Sequence, residues 1–560
     1  MRRTLLITSI CAGTWVAAAG TSLAQVTPAQ APVTPATLRL SVDDAVKMAV
    51  DHNVDLAAER IDPQISDARV AAAAGAYRPT FSTSLQRNNQ LQPPASFLIP
   101  TATRTDAVTT NVGLSQALPR FGTSYSVSWN SVHTDSNSFL NSYNPILQSG
   151  LSMSLSQPLV RDMAIDSLRL QLATTRVDRD IAGTRLRESL VHTTADVKSA
   201  YWNLVSAIAT VDARKSSLTL AKELVRVNKA KVDIGQSPPL DLVSAEAEVA
   251  SDREQLIIAE TQVREVEDQL RTLIFDASDR SVWSVNIEPA DSPPLGFVTP
   301  DVDAAVTNAL RDRADLARAR MEIDNARVNV KFTGNQRLPD VRLNAGYTAN
   351  GLGGTQVLRT GGFPGSIIGS GPATDFGSVL NQLFTNQYPT WTVGISVSRP
   401  IGQATEEANY ARARLEHAQS QERLKSAEAR AIRQVRDAGW KIEMNAKRIE
   451  TTRAARDLAE QRLDAERKRF DVGMSTSFLV IQAQRDLAQA RTNEVAAVLA
   501  YDLALVDFEA LQQAGPEAPV QGSASPVSVS AGAGSGAQAA SSASGGVPAA
   551  ASQSTAIPGR

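Results

Sequence analysis

The feature that most constrains the fold of this chain is an internal duplication. Apolar residues lie at steps of 3, 4, 4 and 3 from Val197 to Val211, and the same steps recur from Val435 to Ile449. Such steps keep one narrow stripe of a helix against a partner, as in a coiled coil. Two copies of one helical unit predict a pseudo-symmetric wall, and the function follows from what that wall encloses.

The duplication covers whole halves of the chain. A helical pattern that begins at Ser41 has a counterpart that begins at Asp301, and the prolines that follow, Pro79 and Pro339, match at the same offset. Each half therefore predicts a helix, strands and a long helical hairpin, in that order. The predicted segments are a signal peptide at 1–24, an extended lead-in at 25–37, a first repeat at 38–275, a linker at 276–300, a second repeat at 301–515 and a disordered Ala/Ser/Gly-rich tail at 516–560.

The N-terminus has the pattern of a secretory signal. Arg2 and Arg3 precede a short apolar stretch, and residues 22–24 form a small-x-small cleavage site. A transmembrane helix is the alternative, but the stretch is short and interrupted by polar residues. The only cysteine, Cys11, lies inside the signal, so we expect the exported chain to carry no disulfide and no cysteine metal site. The formal net charge of −2 gives no basic surface for nucleic acid.

After each proline the apolar period changes from helical to two, which predicts strands at about 79–157 and 339–400. Strands of about 9 to 11 residues with one apolar face can span a bilayer when they are tilted. A half-buried soluble sheet shows the same alternation. We favour the membrane, because the polar face is small and uncharged. The segment 350–388 is rich in Gly, Ser and Thr and is predicted to be an extracellular loop.

Very long helices follow the strands. Residues 159–237 and 401–515 contain no proline, and strong helix formers dominate them. The number of residues from the beginning of each proline-free segment to the next glycine turn predicts a helix on the order of 100 Å long. Gly235 and Gly473 then turn each helix back, which predicts hairpins at about 159–275 and 401–515.

Residues 38–515 resemble the TolC-type outer-membrane efflux family. The resemblance lies in the order of the elements, which is duplicated behind a signal: a strand hairpin, a proline, a very long helix, a glycine turn and a returning helix. The resemblance implies an α+β membrane protein that assembles as a homotrimer. Its helical hairpins form a periplasmic α-barrel, and its strand hairpins form a shared β-barrel in outer-membrane lipid. Members usually contribute four strands per chain, whereas this sequence offers six candidates, with an extra pair around 108–132. Whether four or six enter the barrel stays open.

The resemblance also implies a function and partners. The chain is expected in the cell outer membrane, with a long periplasmic extension, as a passive exit duct for small toxic compounds. A periplasmic adaptor of the membrane fusion type and an inner-membrane transporter, with the RND type favoured and ABC possible, would complete a tripartite efflux system.

In the family, the two glycine turns form a periplasmic tip that narrows to an aperture and contacts the adaptor. Plain helix caps are the alternative interpretation. Asp241 matches an acidic residue of the family's first tip. Leu479 and Gln482 replace its aspartates, and Phe470 and Ser475 replace its tyrosine–arginine pair, so the ionic latch is expected to be absent or rebuilt. Phe478 and Leu479 favour a hydrophobic constriction. The candidate tip residues are Gly235, Ser237, Asp241, Phe470, Gly473, Ser475, Phe478, Leu479 and Gln482.

Other functions are less well supported. The four histidines are scattered, and no catalytic or phosphate-binding motif occurs, so we expect no enzyme, no cofactor and no metal. Within the same architecture, a type I protein-secretion duct is the alternative. A soluble periplasmic coiled-coil scaffold or adaptor is the alternative of another class, although adaptors carry one helical hairpin between other domains.

Overall fold

The computed structural model describes residues 37–94, 101–138, 141–276, 278, 280–292, 297, 299–361, 365–399, 401–402 and 405–516. The predicted signal peptide, the lead-in up to residue 36 and the tail from residue 517 lie outside these ranges, as do Pro293, Pro294 and Pro400. No helix in the described ranges combines the length and the apolar character that crossing a membrane requires.

Helices and strands follow in the order that the duplication predicts. In chain order they are β1 (Thr37–Leu40), α1 (Val42–His52), α2 (Val54–Glu59), α3 (Asp62–Gly75), β2 (Thr80–Gln92), β3 (Thr103–Ala117), β4 (Ser124–Ser136), β5 (Tyr143–Pro158), α4 (Ser167–Asp233), α5 (Pro239–Ile274), β6 (Asn286–Pro289), α6 (Val302–Asp312), α7 (Ala314–Gln336), β7 (Asp340–Thr360), β8 (Ser366–Thr374), α8 (Phe376–Phe384), β9 (Tyr388–Ser398), α9 (Thr405–Asp471) and α10 (Ser477–Ala510).

The two longest helices, α4 and α9, have 67 residues each. At about 1.5 Å per residue, each is about 100 Å long, in agreement with the sequence. Along one part of these helices, α3 packs on α4 and α7 packs between α4 and α9. Along the remainder, α5 packs on α4 and α10 packs between α4 and α9. The lateral order there is therefore α5, α4, α10, α9.

The predicted apolar stripes lie in the core. Val197 and Leu204 of α4 are fully buried, as are Val435 and Ile442 of α9. The stripe of α4 packs with β1, α1 and the end of α5, and that of α9 packs with α6 and α10. Because each fully buried Leu or Ile contributes roughly 1.5–3 kcal/mol, these stripes fix how the hairpins pair.

Each repeat closes on itself at an equivalent residue. Asn53 interrupts the first helical region, and its side-chain amide donates to the Leu273 carbonyl oxygen at 3.1 Å. Arg313 interrupts the second region at the matching position, is buried, and forms an ion pair with Asp315 at 2.9 Å. Its guanidinium also reaches the Leu511 carbonyl oxygen at 3.5 Å. The start and end of each repeat are thereby joined.

The long strands form one antiparallel sheet in the order β2, β3, β4, β5, β7, β9. The shorter β8 pairs with the distal part of β7, beyond the part that pairs with β9. Several strands are longer than the sequence suggested: β3 has 15 residues, β5 has 16 and β7 has 21. A separate parallel pair joins β1 to β6, which comes from the segment expected to be a linker.

The expectation of a loop over 350–388 is wrong. This segment contains the end of β7, all of β8 and the helix α8. Glycines in β7 permit the helix to lie close, because Cβ atoms at Gly351 or Gly353 would fall within 3 Å of Val379. The Gln382 side chain bonds the backbone N–H and C=O of Leu352, where neither β8 nor β9 pairs. Tertiary packing therefore overrides a loop-like composition.

Candidate functional site

The two helical turns have the same backbone geometry. Gly235 has φ +76° and Gly473 has φ +78°. The residue after each glycine donates to a carbonyl oxygen five positions back: Gln236 N–H to Lys231 at 2.7 Å, and Met474 N–H to Arg469 at 2.8 Å. This is the Schellman ending of a helix, which requires a left-handed residue. Nothing lies within 4 Å of a Cβ added at either glycine, so within one chain the backbone conformation alone requires glycine.

The polar contacts beside the turns join the two hairpins of the chain. The buried Asn228 amide of α4 donates to the Ser477 hydroxyl at 2.7 Å and to the Asp241 carbonyl oxygen at 3.1 Å. The Lys231 ammonium donates to the Phe470 carbonyl oxygen at 2.7 Å and lies 3.6 Å from the centre of the Phe470 ring. Both tips are therefore held side by side.

A charged contact joins the hairpins further from the tip. The Arg485 guanidinium of α10 binds the Glu248 carboxylate of α5, with the closest N–O distance 2.5 Å. Glu248 is only 6% exposed. Burial, together with the neighbouring Glu248 charge, raises the pKa of Asp252 one turn along α5. Arg485 therefore compensates the charge of the buried Glu248 carboxylate.

The predicted tip residues divide into two groups. Phe470 is buried in the apolar cluster between the hairpins, and Ser475 donates to the Glu466 carboxylate at 2.8 Å. Gln482 donates to Asp486 at 2.9 Å. The other group is available for a partner: Phe478 is 69% exposed and Leu479 is 43% exposed.

Around the first turn, Ser237 and Asp241 are half-buried. Among the described residues, no hydrogen bond or ion pair engages the Asp241 carboxylate. This carboxylate is therefore free to meet a group from outside the chain.

Sequence reasoning missed an apolar surface at the tips. Five further apolar side chains are more than half exposed there. They are Ile234, Leu240, Val243, Val472 and Met474. Several large apolar side chains exposed near two neighbouring turns favour an interaction surface there. The signal was available, because apolar residues flank both glycines in turns that the sequence predicted to be exposed.

The sheet is strongly two-faced. One set of directly paired residues forms an apolar row across all six long strands. The row consists of Phe81, Leu114, Val127, Met153, Tyr347 and Trp391. The neighbouring row on the opposite face consists of Ser82, Gly113, Ser128, Ser152, Thr348 and Thr390. The apolar face is solvent-exposed in the single chain, with Trp391 at 73%.

The lateral edges of the chain are also open. Every residue of β2 and of β9 is exposed, and each of these strands pairs with one neighbour only over the described ranges. In the helical part, the outer faces of α5 and α9 carry exposed residues at steps of 3 and 4. On α5 they are Leu240, Val243, Ala247, Ala250, Glu254, Ile257 and Thr261. On α9 they are Trp440, Met444, Lys447, Thr451, Ala454, Leu458, Gln461 and Ala465.

No group of three or more His, Cys, Asp or Glu side chains in the described part of the chain is placed to hold a metal ion. The distinctive geometry is instead a two-faced antiparallel sheet joined to two helical hairpins of about 100 Å. This combination defines the class of outer-membrane channel proteins with long helical extensions.

The profile of the family described as "Outer membrane efflux protein" matches residues 98–274 and 305–513, well over half of the chain. The chain belongs to this family. It is accordingly an outer-membrane efflux channel protein with a periplasmic extension. No curated protein sequence matches the chain.

Solved structures share the fold. A membrane protein from Pseudomonas aeruginosa superimposes with a TM-score of 0.62 at 15% identity, covering 86% of this chain and 92% of its own. The CmeC outer membrane channel of Campylobacter jejuni gives a TM-score of 0.60 at 15% identity, covering 84% of this chain and 85% of its own. The MtrE outer membrane channel of Neisseria gonorrhoeae, in its open state, gives a TM-score of 0.57 at 16% identity, covering 85% of this chain and 89% of its own.

Proposed function

We propose that three copies of this chain close into one tube, the outer-membrane part formed by the sheets and the periplasmic part by the helical hairpins. The observation that carries this proposal is the pair of open sheet edges at β2 and β9. Unpaired backbone groups cannot face lipid, so β2 of one chain must pair with β9 of the next. The number three comes from the resemblance to TolC-type channels.

The helical surfaces support the same closure. In the lateral order α5, α4, α10, α9, the exposed stripes lie on the two outermost helices. Their heptad-like spacing is that of a coiled-coil seam. The two helices run in opposite directions from the tip, so α5 of one chain can pack antiparallel to α9 of its neighbour. The same rotation about the trimer axis would then bury the exposed stripe of α5 and that of α9 at every subunit interface, as a closed ring requires.

The two faces of the sheet support one arrangement of the tube, with the polar face inside and the apolar face outside. The apolar rows suit hydrocarbon, and the Ser- and Thr-rich rows suit a water-filled lumen. The five rows from Val341 to Ala349 extend about 26 Å along the strand, at roughly 3.3 Å per residue. The lumen face is small and uncharged in its middle rows, which favours a passive conduit that does not select cargo by charge.

At the periplasmic end, the exposed apolar tip residues outside the α5 and α9 stripes, Ile234, Val472 and Met474, are the proposed contact for an adaptor of the membrane fusion type. An inner-membrane transporter, favoured to be of the RND type, would supply the energy, and this chain would supply the exit for small toxic compounds. Phe478 and Leu479 are proposed to narrow the aperture. In place of an ionic latch, Lys231 on Phe470 and Arg485 on Glu248 hold the hairpins together.

A cysteine ladder tests the closure. The only native cysteine is Cys11, in the predicted signal, so introduced cysteines report without background. Leu85→Cys on the apolar face of β2 is combined in turn with Trp391→Cys, Val393→Cys or Ile395→Cys on the same face of β9, and outer membranes are treated with a short bifunctional thiol reagent. The expected products are dimer and trimer with nothing larger. Monomer only, in every combination, or a ladder that continues beyond trimer, would contradict the proposal.

Photo-crosslinking from Met474 tests the tip contact, with exposed Leu415 at the opposite end of α9 as the matched control. Capture of an adaptor of an RND-type pump from Met474 but not from Leu415 is expected. Capture of an ABC exporter's adaptor would move the cargo to secreted protein. Equal capture from both positions would contradict a docking site at the tip.

A further inference from the structure

We infer that the β3–β4 hairpin is an addition within the barrel wall, so that each chain contributes six strands and the closed trimer has eighteen. This inference rests on the proposed trimeric closure and sets the bore of its membrane-spanning part. The sequence left open whether this hairpin lies inside or outside the barrel. Three features of the structure place it inside.

The first feature is register. β3 pairs with β2 from Thr103–Gln92 to Ser115–Thr80 without a bulge, and β4 pairs with β5 in the same unbroken way. The hairpin therefore separates β2 from β5 along the whole pairing length. Removing it from the wall would leave β2 and β5 to find each other in a new ladder.

The second feature is the apolar row. Leu114 of β3 and Val127 of β4 lie between Phe81 of β2 and Met153 of β5 in the same row. On the other face, Gly113 and Ser128 continue the hydroxyl-rich lining. A hairpin outside the wall would have no reason to carry the same two faces at the same height, because a one-residue slip exchanges them.

The third feature is the anchoring of the β3–β4 turn, residues 118–123, at the junction of β5 and α4. Phe121 and Gly122 both have positive φ, and the Phe121 carbonyl oxygen accepts from the Gln157 side chain at 3.1 Å. Gly122 is required, since a Cβ there would lie 2.8 Å from the Asp162 carbonyl oxygen. At β3, the Gln116 amide donates to the Tyr77 carbonyl oxygen at 2.9 Å. The turn is therefore fixed in line with the other strand ends.

The shorter β8 does not change the number of strands. It pairs with β7 from Gly354 outward, whereas β9 pairs with β7 only as far as Asn350. A cut across the sheet at the apolar row meets six strands. Since barrel diameter grows roughly linearly with strand number, eighteen strands give a bore about 1.5 times that of twelve.

A distance measurement on trimers in lipid tests the inference. Strands spaced by about 4.8 Å and tilted by about 40° give a backbone radius of roughly 18 Å for eighteen strands and roughly 12 Å for twelve. Met153→Cys carries an outward-facing nitroxide on β5, a strand that belongs to the wall in either case. Allowing roughly 7 Å for the label, double electron–electron resonance should give about 43 Å between subunits for eighteen strands and about 33 Å for twelve.

The matched control is the same labelled chain with residues 103–136 deleted. Because β2 and β5 run in opposite directions, they can pair directly in this variant, and the distance should shorten by about 10 Å. A distance near 33 Å in the undeleted chain would overturn the inference while leaving the trimer intact. A cysteine ladder that never exceeds monomer, with no defined distance between subunits, would contradict the trimer itself. If the deletion variant fails to assemble, the undeleted distance alone decides.

Discussion

Val393 provides the sharpest test of which face of the sheet meets lipid. It lies on β9 in the central one of the five apolar rows, opposite Ala345, and is 64% exposed in the single chain. An arginine on the lipid face near the bilayer midplane costs roughly 2–4 kcal/mol. Since a trimer contains three copies, Val393→Arg should destabilise the assembled protein by roughly 6–12 kcal/mol.

The adjacent residue is the matched control. Thr392 points to the opposite face, where it pairs with Gly346 and a larger side chain meets the lumen. Thr392→Arg should therefore change the stability by less than about 1 kcal/mol per chain. Urea unfolding of trimers in liposomes gives the free energies, and outer-membrane fractionation gives the inserted amounts. Equal losses in the two variants, or a larger loss for Thr392→Arg, would refute the assignment of the faces.

Three further predictions concern the helices, each measured by denaturation of the purified protein. Gly473→Ala should lower the free energy of unfolding by about 1–2 kcal/mol, because the φ of Gly473 is +78°. Gly183→Ala should raise it by up to about 1 kcal/mol, because Gly183 lies in the interior of α4 and nothing lies within 4 Å of an added Cβ. A gain in stability for both variants would refute this conformational argument. Arg485→Met should lower the free energy of unfolding more than Glu248→Gln does. The first variant leaves the buried Glu248 carboxylate uncompensated, whereas the second leaves a solvated guanidinium. A larger loss of stability for Glu248→Gln would contradict this account.

The third concerns Asp502, which is 3% exposed and whose pKa is raised from 3.8 to about 6 by burial. Its folded pKa exceeds its unfolded pKa, so the protonated form is favoured and wild-type stability falls as pH rises from about 4 to 6. Asp502→Asn should be nearly neutral at pH 4 and stabilising by about 3 kcal/mol at pH 7. A pH-independent difference would exclude this explanation.

The duplication and the main elements could be predicted from the sequence because they depend on local pattern. The apolar steps from Val197 and from Val435 determine the buried stripes, and the absence of proline permits helices of 67 residues. The alternation in the strands follows from the same physics, since each face meets a different solvent. The glycine turns were located correctly because only positive φ closes such a helix end.

The rest depends on contacts between residues far apart in the sequence. Phe470 is buried in a cluster with Leu224 and Ala245 of the other repeat, and Lys231 lies over its ring; no pattern near Phe470 indicates these contacts. The composition of the α8 segment predicts a loop, because the helix depends for its stability on packing Val379 against the glycines of β7. The exposed apolar residues at the tips do not follow from the family resemblance, which concerns the positions that carry charge in related channels.

Ion currents across planar lipid bilayers test the central claim most directly. Purified trimers should insert as discrete current steps of uniform size. If the apolar side chains at the tip form the constriction, Phe478→Ala combined with Leu479→Ala should enlarge each step, while Leu415→Ala, at the opposite end of α9, should leave it unchanged. Discrete steps that grow in this way are the predicted result. Well-folded trimers that insert but carry no current, in the wild type and in the double variant alike, would contradict the account of this chain as a channel.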